Sequence, residues 1–357
     1  FTGNWVDNGT GGLYTMNPDG SDRRQILTTF RLAGIPRHPK WSPDGKQIIF
    51  TGREWQETPH ANEDYYAWGA TMTINADGTN LQFNHATHDS QPVFMPKMNK
   101  IMFIAMHGGD YITSGNKQDL FIKNLNGVQT LNISKDFGGA HDFDVSPLTF
   151  GEPLVHAPVP NDIVFSRWSS GGPIGSATSP SSDLFVISED GKKFANITQT
   201  CTFYAREDHA CWSPDKKKIV FESNQPYWVD GENKMRSDGI VNIWICDADG
   251  SNRVNLTKFN GEETYPRWSP DGTQIMFQRG VVGGKALFAL TLATGEITQM
   301  KPQGWATVYL NQMTWSNDGA TFVISGNNNS DPMKAISLTT DPMVSEKIDK
   351  GSSLDPD

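Results

Sequence analysis

Trp41-Ser42-Pro43-Asp44-Gly45-Lys46-Gln47-Ile48-Ile49-Phe50-Thr51-Gly52 decides the fold, because the chain writes it again and again. It recurs as Trp212-Ser213-Pro214-Asp215 running into Lys218-Ile219-Val220-Phe221, and as Trp268-Ser269-Pro270-Asp271-Gly272 running into Ile275-Met276-Phe277. A drifted copy is Trp315-Ser316-Asn317-Asp318-Gly319 with Phe322-Val323-Ile324, and two fainter ones start at Phe94 and Val145. A period of roughly 50 to 55 residues marks a repeat architecture, so the 357 residues are read as one closed unit and not divided by length.

Each repeat has the same grammar. The Trp-Ser-Pro-Asp-Gly turn leads into an apolar, β-branched strand. A variable stretch follows, then an alternating strand such as Ala70 to Ile74, Asp119 to Ile122, Asp183 to Ile187, Asn242 to Ile245 or Ala286 to Leu290. Period-two patterning bounded by Gly, Asn and Asp predicts strands joined by hairpins. Tight turns such as Asn75-Ala76-Asp77-Gly78 and Asp247-Ala248-Asp249-Gly250 suit positive φ, and a short edge strand closes each unit. Four strands per unit at this period make a β-propeller. The expected fold is all-β: a seven-bladed β-propeller of four-stranded repeats, one domain over residues 1–357, with six blades the runner-up. The chain opens in mid-blade, with strands near Phe1 to Val6, Gly12 to Asn17 and Arg23 to Thr28. The missing inner strand is expected from the tail near Ser352 to Asp357.

Composition narrows the function classes. A net charge of −10 without a Lys/Arg block argues against a nucleic-acid partner. The longest apolar run, Ile101 to Met106, is too short to span a bilayer. Phe1 is not an initiator, so a signal peptide or an engineered end is expected to have been removed before it; the residues do not choose between them. Cys201, Cys211 and Cys246 fit no zinc or haem spacing. Cys201 and Cys211 are placed to bridge in an oxidising compartment, and buried free thiols are an equal alternative.

The strand pair Trp-Ser-Pro-Asp-Gly-Lys to Ile-x-Phe, followed by Asp-Gly and Leu-Thr, resembles the TolB-type propeller repeat over nearly the whole chain. Relatives of that repeat include colicin-tolerance proteins, polysaccharide lyases, peptidase propeller domains and accessory subunits, so the resemblance implies the fold more sharply than the function. In size and blade count the chain is also similar to the cofactor-free propeller subunits of hydrazine synthases. The amino-terminal domain of TolB proteins is not expected among these residues.

Several motifs read more simply as structure. Asp247-Ala248-Asp249-Gly250 and Asn75-Ala76-Asp77-Gly78 open like EF-hand loops, but the twelfth position, where a bidentate Glu is needed, holds Lys258 or Ala86. The sequons at Asn132, Asn196 and Asn255 share one repeat position, which repeat grammar explains better than glycosylation does. The anchor Trp is expected between blades.

The second connection of each blade is long: Arg53 to Gly69, His107 to Gln118, Arg167 to Ser182 and Ser223 to Gly239. Propeller geometry groups these on one face, where function is expected. They carry Trp55, Tyr65, Tyr66, Trp68, Tyr111, Trp168, Tyr227 and Trp228 among polar residues, a pattern suited to a protein interface or a sugar-stacking surface. Packing back onto the blades is the alternative.

Just before the anchors stand Arg37 and His38; His88 and Asp89; His141 and Asp142; Arg206, Glu207, Asp208 and His209; Glu262 and Glu263; and Tyr309, Asn311 and Gln312. Four of the eight histidines thus fall in similar slots. His38, His88, His141 and His209 are candidate ligands for a divalent metal. Arg206, His209 or Tyr204, and His141 are candidates for β-elimination on a uronate, in the manner the resemblance to propeller lyases implies. A solvated channel lining is the third reading. The leading expectation is a cofactor-free interaction subunit, periplasmic or secreted, that binds other protein subunits. A uronate lyase acting on an anionic glycan and a TolB-like envelope scaffold are the alternatives.

Overall fold

The computed structural model describes residues 2–4, 11–15, 24–28, 36–42, 44–53, 69–85, 90–95, 99–106, 118–125, 130–134, 163–169, 181–188, 191–199, 206–225, 227–229, 234–236, 239–282, 284–300, 310–315, 321–326, 334–337 and 345–347. These form seven antiparallel sheets of three or four strands and one two-stranded ribbon. The first sheet is β1 (Thr2–Asn4), β2 (Gly11–Thr15) and β3 (Arg24–Thr28). The second is β4 (Arg37–Trp41), β5 (Gln47–Arg53), β6 (Gly69–Asn75) and β7 (Gln82–His85). The third is β8 (Ser90–Phe94), β9 (Lys100–Met106), β10 (Gln118–Asn124) and β11 (Thr130–Asn132). The fourth is β12 (Ile163–Ser169), β13 (Ser181–Ile187) and β14 (Phe194–Asn196).

In the fifth sheet, β15 (Glu207–Trp212) and β16 (Lys218–Ser223) precede an inserted ribbon of β17 (Tyr227–Val229) and β18 (Lys234–Arg236). The sheet then resumes with β19 (Asn242–Asp247) and β20 (Val254–Asn255). The sixth is β21 (Glu263–Trp268), β22 (Gln274–Val281), β23 (Gly284–Thr291) and β24 (Glu296–Gln299). The seventh is β25 (Leu310–Trp315), β26 (Thr321–Gly326), β27 (Lys334–Ser337) and β28 (Ser345–Lys347). Strands within each sheet follow chain order.

The chain packs as two compact units. One holds the first three sheets and the seventh; the other holds the fourth, fifth and sixth. The tail at residues 352–357 and the expected strand near Val145 lie outside the described residues.

The repeated turn has a direct physical cause. Ser42 Oγ donates to Asp44 Oδ1 at 2.6 Å and accepts the Gln47 N–H at 2.9 Å. Gly45, at φ +67°, donates to the Ser42 carbonyl at 2.9 Å. Ser213–Asp215 and Ser269–Asp271 repeat the first bond at 2.7 and 2.6 Å. The serine hydroxyl holds the Asp44 and Asp271 carboxyls below their ordinary range. Ser and Asp are therefore needed for the turn itself.

The anchor Trp packs between neighbouring sheets of a unit, as expected. Trp212 clusters with Val164, Leu184 and Ile197 of the fourth sheet and its flank. Trp268 clusters with Val220, Ile243 and Ile245 of the fifth, and its Nε1–H donates to the Cys211 carbonyl at 3.2 Å. In the other unit Trp41 packs against a cluster uniting Leu13 and Leu27 of the first sheet with Phe50 and Met72 of the second. Buried aromatic and aliphatic area of this kind is what holds successive sheets together.

The sequons also prove structural. Asn132 Nδ2 donates to Asp119 at 2.9 Å, Asn196 Nδ2 to Asp183 at 2.8 Å, and Asn255 Nδ2 to Asn242 at 3.1 Å. The hydroxyl two residues on accepts an N–H of the strand paired with the outer one in each case: Leu120 to Ser134, Leu184 to Thr198, and Ile243 to Thr257. Asn-x-Ser/Thr is thus the clasp of the outer strand.

Asp247 to Gly250 form a hairpin turn, with Gly250 N–H donating to the Asp247 carbonyl at 2.8 Å. At Gly250 φ is +84°, and an added Cβ would stand 1.8 Å from the Ile197 carbonyl oxygen. Only glycine lets the turn meet the preceding sheet that closely. Cys211 is a buried free thiol, as is Cys246; Cys201 lies outside the described residues.

Candidate functional site

The inner strand of five sheets carries a β-bulge at nearly the same place. The pairing slips between Arg37 and Lys40, Ser90 and Val93, Asp208 and Cys211, Thr264 and Arg267, and Leu310 and Met313. A bulge bends the strand and re-aims one side chain. His38, His209 and Tyr265 occupy it at φ +52°, +52° and +57°. Left-handed backbone at such residues costs about 1–3 kcal/mol each and persists only where the surroundings enforce it, commonly at functional positions.

In the second unit this slot becomes a polar cluster. His209 Nδ1 lies 2.8 Å from Glu222 Oε1, and Glu222 Oε2 accepts the Tyr265 N–H at 2.9 Å. The His209 and Tyr265 rings lie 4.0 Å apart, tilted by 44°. One buried carboxylate therefore ties the bulges of the fifth and sixth sheets together. Asp208 is held by the half-exposed Arg206 guanidinium. Burial pushes the Asp208 carboxyl up, against the pull of Arg206 and His209. Lys285 Nζ donates to Thr264 Oγ1 at 3.2 Å and stands 3.6 Å from Glu262.

Of the residues expected in a lyase, Arg206 and His209 are described; Arg206 engages Asp208 and His209 engages Glu222. Tyr204 and His141 lie outside the described residues. Of the candidate metal ligands, His38 and His209 sit in bulges of different units, and His88 and His141 lie outside the described residues. In the third sheet the bulge falls on Gln91 and Pro92. Among the described residues no group of three or more His, Cys, Asp and Glu side chains stands ready for a metal ion.

Of the aromatic-loop residues, Trp168 lies in β12 opposite Ser182, and Tyr227 and Trp228 lie in β17 opposite Arg236 and Met235. Trp55, Tyr65, Tyr66, Trp68 and Tyr111 lie outside the described residues. Sequence reasoning missed Glu222 and Tyr265. The signal for Tyr265 was available: it stands three residues before Trp268, as His209 stands before Trp212.

No protein-family model matches the chain. A TolB homologue of Chlorobium chlorochromatii is 35% identical over 88 residues, a quarter of this chain and 19% of the relative. TolB of Acinetobacter baumannii superposes with a TM-score of 0.51 at 14% identity, over 82% of this chain and 61% of that one. The chain has a β-propeller fold like that of TolB. Dipeptidyl-peptidase 5 of Porphyromonas gingivalis is similar to this propeller at 23% identity over 81% of the chain, and the propeller spans only 43% of that relative. The TolB-like propeller therefore covers less than half the length of either curated relative.

Two further structures share the fold with the TolB-like propeller. An oligogalacturonate lyase in complex with manganese gives a TM-score of 0.60 at 12% identity, over 97% of this chain and 83% of that one. Hydrazine synthase of Kuenenia stuttgartiensis gives 0.51 at 14% identity, over 80% and 40%. Among the described residues of the TolB-like propeller, no helix is long and apolar enough to cross a membrane.

Proposed function

We propose that the protein is an extracytoplasmic interaction scaffold, a single seven-bladed propeller domain serving as a subunit of a larger assembly. The observation that carries this reading is the ribbon β17–β18, inserted between the second and third strands of the fifth sheet. An isolated two-stranded ribbon is at best marginally stable in water. This one has three residues per strand and begins Tyr-Trp-Val, a composition enriched where proteins meet. The charged groups of the bulge cluster are engaged with one another within the fold, which suits a structural role. Similarity to TolB homologues and the shared fold with hydrazine synthase support protein partners. Replacing residues 227–236 by a short Gly-Ser turn should abolish a stable association and leave the propeller folded; an unchanged assembly would sink the proposal.

A uronate lyase is the second reading, favoured by the His209–Glu222 pair and by the fold shared with oligogalacturonate lyase along nearly the whole chain. In it Arg206 neutralises the substrate carboxylate, His209 or Tyr204 takes the C5 proton, and His141 assists. It predicts unsaturated-uronate absorbance from an anionic glycan, lost in His209→Ala and Arg206→Ala. No turnover across a polyuronate panel, with and without manganese, would eliminate it.

A further inference from the structure

Glu207 and Glu263 hold the same place in consecutive repeats, five residues before Trp212 and Trp268. Both are fully buried. Each approaches the threonine that closes the preceding sheet, Thr198 or Thr257, and a backbone N–H of the strand beside it, that of Leu184 or Ile243. In both, Oε2 lacks a donor in hydrogen-bond geometry, so the two sites differ at Oε1.

In the sixth sheet Glu263 faces Arg279 across the ladder. Arg279 Nε and Nη2 donate to Oε1 at 2.7 and 2.6 Å. The guanidinium stands 4.1 Å from the ring of Phe259, 4.4 Å from Phe288 and 5.5 Å from Phe277, a cation held by a carboxylate and aromatic faces.

In the fifth sheet Glu207 faces Ser223 instead. Phe221 and Trp244 pair across β16 and β19 as Phe277 and Phe288 pair across β22 and β23. Strand alternation puts Phe221 on the same side as Ser223, just as Phe277 shares a side with Arg279. The fifth sheet thus keeps the carboxylate and two aromatic rings and replaces the cation by a small hydroxyl. The Gln225 amide donates to Glu207 Oε1, a neutral group where the sixth sheet has a guanidinium. Gln225 is half-buried whereas Glu207, Phe221 and Ser223 are fully buried, so a group from outside reaches the carboxylate by displacing Gln225.

A buried carboxylate without a cation is unfavourable. Burial pushes the Glu207 carboxyl up to about 8; Asp183 adds to the shift, and Thr198 and Arg253 only partly oppose it.

We propose that Glu207, Ser223, Phe221 and Trp244 form a receptor site for a guanidinium group from outside the chain, taking the place that Arg279 fills in the sixth sheet. The group comes from an arginine side chain of a partner or from a small free guanidinium compound. The site stands on the comparison of the two repeats and is independent of the scaffold reading.

The test titrates the intact protein with methylguanidinium, with methylurea as the neutral isostere and Gly-Gly-Arg-Gly-Gly as the peptide source, followed calorimetrically. Methylguanidinium should bind saturably at one site and methylurea should not. Tighter binding of the peptide assigns the source to a protein side chain; binding of methylguanidinium alone assigns it to a small molecule. Glu207→Gln should weaken binding at least about tenfold, the loss of a charge-assisted pair. Ser223→Arg should abolish it by filling the place from within, and Gln225→Ala should tighten it by uncovering the carboxylate. Absence of saturable binding by both cationic probes would overturn the proposal. So would unchanged affinity in whichever of the three variants fold.

Discussion

Glu222 and His209 face each other at 2.8 Å across the bulge of the fifth sheet, and the same carboxylate holds the backbone of Tyr265 in the sixth. The bulge residues are thus joined through one buried group, and the joint links two repeats. Removing that group should be felt as stability before it is felt as anything else. Glu222→Ala leaves the Tyr265 N–H without its acceptor, removes the carboxylate that faces His209, and should cost about 1–3 kcal/mol, the scale for an unsatisfied buried donor. Glu222→Gln, which still accepts one hydrogen bond, should cost less. Urea unfolding of both variants measures the difference; negligible loss in both would show that the carboxylate's two contacts do not matter.

Glu207 predicts a specific pH dependence. Burial raises its folded pKa from 4.5 to about 8, so the native state binds its proton more tightly than the unfolded chain does. Stability from this group is complete below about pH 4.5, declines as pH rises through the interval, and is lost once pH passes about 8. Glu207→Gln cannot titrate and should lack that decline. Melting temperatures of the two proteins between about pH 5 and 9 give the comparison. Parallel curves would contradict the assignment.

The asparagine clasps predict two outcomes together. Asn196→Ala and Asn255→Ala should each cost about 1–2 kcal/mol, because each leaves a buried partner on the paired strand unsatisfied. Intact-mass analysis after secretion from a glycosylating host should find Asn132, Asn196 and Asn255 unmodified, since their amide nitrogens are committed within the fold. A glycan at any of them would show the clasp opening.

Gly45 and Gly250 separate backbone strain from crowding. Both have positive φ, but nothing approaches within 4 Å of a Cβ built on Gly45, whereas one on Gly250 meets Ile197 at 1.8 Å. Gly45→Ala should cost about 1 kcal/mol and Gly250→Ala at least about twice that. Similar losses in thermal unfolding would mean that the fifth sheet yields at that turn.

Much of the fold was legible because its turns are written in side-chain chemistry. Ser42, Asp44 and Gly45 each have a hydrogen-bonding or dihedral reason to be there, so the repeat could be counted from them. Trp212 and Trp268 were readable as inter-sheet packing for the same reason. The site was less legible. His209 stood out by residue type, but its partner Glu222 sits near the end of a strand that otherwise reads as apolar core, and pairing across a ladder is not visible from linear spacing. Tyr265 is inconspicuous in the sequence because Glu262 and Glu263 carry the charge of the link before it, while the bulge two residues on sets which side chain is re-aimed. The contrast of Arg279 with Ser223 also needed the register: only then do the two positions line up opposite equivalent glutamates.

The most direct test of the scaffold reading is the native mass of the untagged protein taken gently from its own cells, with bound polypeptides identified. The account predicts a mass well above that of one chain, with a second polypeptide present in fixed ratio. A lone, stable chain that turns over a uronate glycan would contradict it.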